Sequence, residues 1–119
     1  MPKTIIDWER VRRAARGMAG VEESTAYGSP ALKLRGEMVA CIPTHKSAEP
    51  GSLAVRIDPA SRAEMLEAAP EAYYVTDHYL DYSTVLARLD RVDDDALRDL
   101  LGMAVKFVAS KAARKRPRR

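Results

Sequence analysis

One cysteine and two histidines are all that this chain offers toward covalent staples or metal sites. With Cys41 alone, no disulfide can close within the chain, and a lone thiol fits a reducing compartment. Two histidines and a cysteine far apart in sequence make a poor zinc set, so no metal is expected. Apolar runs are short, and none approaches the roughly 18 residues that a membrane helix needs. The N-terminus does not read as a signal peptide, because Asp7, Glu9, Arg10, Arg12 and Arg13 fall where an apolar stretch would be required. The cytoplasm is therefore the expected location, with no membrane partner. Glycine is sparse, at six residues, and none builds a phosphate-cradling loop. Gly28-Ser29-Pro30 and Gly51-Ser52 read as turns, not as a nucleophile elbow. No catalytic residue and no cofactor are expected.

What is present is an ordinary folding composition. The 119 residues are one domain's worth, and 46% of them are hydrophobic against 31% charged, enough to build a core without staples. The net charge of +3 hides a division. Six of the 20 cations lie in residues 111–119, which hold no acid; residues 1–110 keep 14 cations against all 17 acids, a net −3. The expected organisation is a single domain over 1–110 followed by a basic, disordered tail over 111–119.

Residues 5–18 read as a helix, with Thr4 as its cap and Trp8, Val11, Ala15 and Met18 as its apolar stripe. Gly17 and Gly20 bracket its end. Leu32 and Leu34 alternate with Lys33 and Arg35, and Met38, Ala40 and Ile42 continue the alternation after a tight turn at Arg35-Gly36. Leu53, Val55 and Ile57 form the next strand. Asp58-Pro59 opens a short helix that buries Met65 and Leu66 and stops near Ala69. Two further strands are expected at 73–76 and 83–89. The last helix carries the strongest signals: Asp93 as its cap, Val92 and Leu97 as a hydrophobic staple, and a stripe of Leu97, Leu100, Leu101, Ala104 and Val108. The expected fold is α+β, with a largely antiparallel sheet of five to six strands and helices packed on one face.

If the apolar strand residues face the helices, Lys33, Arg35, Arg56 and Arg88 share the other face and form a local positive surface. Those four, with Lys111, Arg114, Lys115 and Arg116 of the tail, are the candidate nucleic-acid contacts. The tyrosines 27, 73, 74, 79 and 82 can stack bases or line a pocket. Within the stretch from Thr76 to Tyr82, Asp77, His78 and Asp81 can bind a metal or share a proton, or the stretch is simply a turn between strands in which Asp77 caps the backbone and the tyrosines pack. Tyr27, Tyr74, Asp77 and His78 are the candidates for a ligand pocket. Cys41 reads as a small buried hydrophobe.

The segment Gly20-Val21-Glu22-Glu23-Ser24, the run Tyr27-Gly28-Ser29-Pro30-Ala31-Leu32-Lys33-Leu34-Arg35-Gly36, the strand Gly51–Arg56, and Tyr73–Tyr79 followed by Val85–Leu89 together resemble the MmcQ/YjbR family. The resemblance covers about residues 5–110 and leaves the tail outside. It departs at Ser83-Thr84-Val85, where many members read Pro-Trp-Val. It implies a frataxin-like α+β fold. Members are commonly described as predicted DNA-binding proteins with a double-wing motif, so the expected partner is DNA, held non-specifically through phosphates. A small-molecule ligand or a protein partner is the alternative.

Overall fold

The structure, a computed structural model, describes residues 3–115, with side chains from Asp7 to Lys111. In chain order its elements are α1 (Lys3–Ala15), β1 (Val21–Ala26), β2 (Ser29–Leu34), β3 (Glu37–Cys41), β4 (Ser52–Arg56), α2 (Pro59–Ala68), β5 (Tyr73–Tyr74), α3 (Asp77–Leu80), β6 (Thr84–Arg88) and α4 (Asp94–Lys115). A 3-10 turn, Leu89–Arg91, joins the last strand to α4. The six strands form one sheet in the order β1-β2-β3-β4-β6-β5, antiparallel at every pairing.

The core lies between the first face of this sheet and helices α1 and α4. Leu97, Leu101 and Ala104 of α4 are fully buried, Leu100 and Val108 nearly so, and they meet Leu53, Val55, Val85 and Ala87 of the middle strands. Trp8, Val11 and Ala15 extend the same core from α1. Each fully buried leucine contributes about 1.5–3 kcal/mol by leaving water. The start of α4 follows the expected pattern: the Ala96 N–H donates to Asp93 Oδ1 at 2.8 Å, and Val92 and Leu97 are both buried. Arg10 ties α1 to this point by donating to Asp94 and to the carbonyls of Leu89 and Val92. Arg98 returns the link, donating to the carbonyls of Ala14 and Arg16 at the end of α1.

The hairpins β1–β2 and β2–β3 have two-residue loops in which both central residues have positive φ: Tyr27 (54°) and Gly28 (76°), then Arg35 (52°) and Gly36 (82°). This is the type I′ geometry, which matches strand twist and favours glycine at its second position. Its first position is unusual for Tyr or Arg, which pay roughly 1–2 kcal/mol to sit there.

Several expectations need correction. α1 already includes Lys3, so Thr4 lies within the helix and not ahead of it. β1, with its run Glu22-Glu23-Ser24-Thr25, has weak strand propensity and was not expected; it forms by pairing along β2 as an edge strand. The register between β2 and β3 slips so that Leu32 pairs with Ala40 but Lys33 with Met38. Val39 is the extra residue of a bulge, and the slip moves Met38 off the face that Ala40 shares with the helices. Met65 and Leu66 are only half-buried. The strand expected at 73–76 shrinks to two residues, and the turn after it is the helical turn α3. α3 packs on the second face of the sheet, so the helices are not all on one side. α4 continues through Lys115, so the first five residues of the expected tail are helical, and Arg116 lies outside the described residues.

Because Leu101 sits at the centre of the α4 stripe, Leu101→Ala leaves a cavity over the middle strands. The expected loss is about 2–5 kcal/mol, read from the urea midpoint at unchanged slope.

Candidate functional site

The second face of the sheet is not the simple polar surface that alternation suggests. A single register row crosses it: Ala31 pairs with Cys41, Cys41 with Ala54, Ala54 with Leu86, and Leu86 with Tyr74. The first four are buried because residues 42–51 and α3 fold over the middle of the row. Two arginines hold these covers down. Arg88 donates to both carboxylate oxygens of Glu49, at 3.0 and 2.7 Å, and lies 4.3 Å over the Tyr74 ring. The Tyr74 hydroxyl in turn accepts from the Glu49 N–H at 2.7 Å and bonds Ser52 Oγ at 2.6 Å. Arg62 of α2 donates to the carbonyls of Leu80, Tyr82 and Thr84, fixing the exit of α3. A guanidinium with several donors in one plane suits such stapling better than lysine would.

Beside these covers the face opens into a cleft of about 1010 Å³. Met38, Cys41 and Ala54 lie on its floor, and His45, His78, Tyr79 and Tyr82 line one wall. The two imidazoles, 33 residues apart in sequence, stack with centroids 3.5 Å apart and planes 6° from parallel. Tyr79 meets His78 edge-on at 4.7 Å, and Tyr82 tilts toward it at 6.0 Å. Lys33, Arg56 and Lys111 also line the cleft. Arg56 and Lys111 flank the same ring, Phe107, at 5.9 and 5.8 Å, so the end of α4 brings its lysine beside the end of β4. Among the described residues these three cations form no ion pair, whereas Arg10, Arg12 and Arg88 are each matched to a carboxylate. Glu37 and Asp81 line the cleft as well and temper its charge.

Burial pushes the Cys41 thiol up to about 11, so it stays protonated at neutral pH and is a poor nucleophile. His45 Nδ1 accepts from the Ser47 N–H at 3.1 Å, and Ser47 Oγ bonds Thr76 Oγ1 at 2.8 Å. The bare Nδ1 is the neutral form of the ring, and desolvation, then the neighbouring His78 and Lys46, holds His45 below its ordinary value. Among the described residues, no three His, Cys, Asp or Glu side chains are grouped to hold a metal.

The sequence-derived candidates therefore separate. Lys33, Arg56, Lys111, Tyr27 and His78 come together at the cleft. Arg88 and Tyr74 do not; they form the clamp on residues 42–51, which alternation alone cannot distinguish from a free cationic face. Arg35 belongs to the exposed hairpin tip and not to β2. Asp77 is exposed in the first turn of α3. Arg114 and Lys115 lie in the last turn of α4. His45, Met38 and Arg62 were not singled out from the sequence. Residues 42–51 hold Pro43 and Pro50, and nothing in such a loop signals that it folds back over a sheet.

A one-sheet α+β domain, backed by two helices and open to a cleft on its other face, is the class this architecture defines. The YjbR family model matches residues 16–104, and the chain belongs to that family. The crystal structure of Deinococcus radiodurans protein DR2400, with a DUF419 domain, is similar at a TM-score of 0.70 and 21% identity, over 88% of this chain and 80% of that one. No curated protein matches the chain. Among the described residues, no helix is long and apolar enough to cross a membrane.

The lowered affinity of His45 for its proton has a direct consequence. The unfolded chain binds that proton more readily than the folded one, so this contribution to stability is complete above the unfolded value of about 6.5 and is lost as pH falls below it toward the lower folded value. Between pH 7.5 and 5.5, the urea midpoint of the wild type should fall further than that of His45→Asn, whose amide oxygen can still accept from Ser47. Equal falls would mean that the imidazole stack contributes nothing to this dependence.

Proposed function

We propose that this protein binds nucleic acid through the cleft face of its sheet, with Lys33, Arg56 and Lys111 on phosphates and Arg35 reaching from the hairpin tip. The observation that carries the reading is the convergence of three unmatched cations, from β2, β4 and α4, in a cleft walled by aromatic rings. Arg10, Arg12 and Arg88 are neutralised by carboxylates, and Arg62 and Arg98 are spent on backbone carbonyls; cations gathered without a carboxylate partner in a concavity lined by rings are what a polyanion requires. The proposed partner is DNA, contacted through its backbone without sequence readout, in keeping with the double-wing description attached to this family. The role is binding and not catalysis, consistent with a protonated Cys41 and a neutral His45 committed to Ser47. The basic end of the chain adds non-specific affinity. A second reading, a small anionic ligand, draws on the concavity of the site, since clefts of this size commonly enclose one molecule.

Fluorescence polarisation of labelled DNA against salt tests the proposal. The triple variant Lys33→Gln, Arg56→Gln, Lys111→Gln should bind more weakly and lose roughly 2–3 units of log–log salt slope, one contact per cation. Glu37→Gln and Asp81→Asn should strengthen binding. A chain truncated after Lys115 keeps α4 whole and should retain the cleft's share; an end at Ser110 would also remove Lys111. If the triple variant binds with unchanged slope while truncation abolishes binding, the cleft is not the nucleic-acid surface.

A further inference from the structure

The cleft presents more than charge, and its rings bear on which form of nucleic acid fits, an inference that rests on the reading above. Tyr27 is 88% exposed and occupies a backbone conformation that a tyrosine adopts only under strain. No packing offsets that strain, and Asn, Asp or Gly would fit the turn better. Backbone strain of this kind clusters at functional sites. Tyr82, which lines the same cleft, is 59% exposed and sits tilted beside His78, with ring centroids 6.0 Å apart. Lys33 lies further along the same hairpin: Ser29, which follows the Tyr27-Gly28 turn, is four residues from it along β2, about 13 Å at the rise of a strand.

A duplex cannot use these rings, because its bases are stacked and paired inside and only phosphates and groove edges face outward. We infer that the cleft takes an unpaired nucleobase together with its phosphate, the base against Tyr27, Tyr82 and the exposed His78, and the phosphate on Lys33, Arg56 and Lys111. The donors of such a unit are a single strand or a free nucleotide, which share this chemistry. Rings that accept any π-face, with cations tracking the backbone, are the usual means of sequence-tolerant single-strand binding.

The test uses the full chain with a labelled mixed-sequence single strand, the duplex of the same sequence, and AMP as competitor. The single strand should bind more tightly than the duplex. Tyr82→Ala and Tyr27→Asn should each weaken single-strand binding roughly 5- to 150-fold, the loss of one base–aromatic stack, and leave duplex binding unchanged. Tyr27→Asn should at the same time raise the urea midpoint, because it relieves the turn, so its weaker binding cannot be ascribed to misfolding. Displacement of the strand by AMP assigns the site to a free nucleotide; tight strand binding that AMP does not displace assigns it to a strand. Equal affinity for strand and duplex, insensitive to both tyrosines, overturns this inference and leaves the nucleic-acid reading standing. No binding of any of the three overturns both.

Discussion

Burial of one stripe of α4 over the middle strands is the interaction on which the rest of this structure depends. Leu97, Leu100, Leu101, Ala104 and Val108 close the first face of the sheet. α1 completes that closure, and the reciprocal Arg10 and Arg98 contacts fix where the two helices meet. With the first face sealed, anything the molecule recognises through its sheet it must meet on the second. The same helix decides how that face is charged. By running past Phe107 to Lys111, α4 places a cation of the C-terminal segment beside Arg56 of β4.

The second face is then divided between support and opening. Its central row is apolar and buried, which demands a cover, and residues 42–51 and α3 supply it. The cost of ordering two short irregular segments is met by guanidinium clamps: Arg88 on Glu49 and Tyr74, Arg62 on the carbonyls that follow α3. Each clamp satisfies several main-chain or carboxylate acceptors at once, so the walls of the cleft are set before any ligand arrives. A preformed wall of rings and a floor of Met38, Cys41 and Ala54 would spare the proposed ligand much of the ordering cost of binding.

Charge on this protein is informative only when it is sorted by partner. Most arginines with a structural task are matched: Arg12 with Glu9 and Glu23 beside a small concavity at the end of α1, Arg10 with Asp94, Arg88 with Glu49. Lys33, Arg56 and Lys111 are the contrast, and they come from three separate elements. A body that is net acidic can in this way present a local cationic site, tempered by Glu37 and Asp81.

The elements whose signals are local were legible in the chain itself: the Asp93 cap and apolar stripe of α4, the Asp58-Pro59 opening of α2, the tight turn at Arg35-Gly36, and the alternation of β4 and β6. It also carried the family and the α+β class, and it brought out Lys33, Arg56, Lys111, Tyr27 and His78 as candidates. Features that depend on partners distant in the chain emerge only on folding. β1 exists because β2 offers it an edge, not because Glu22-Glu23-Ser24-Thr25 favours a strand. Val39 bulges because the β2–β3 register requires it. Arg88 is a clamp and Arg56 is free, although both alternate identically with buried residues, because Glu49 and Tyr74 fold back onto one and not the other. Periodicity reports which side of a strand a residue takes; only the folded chain determines what waits for it there.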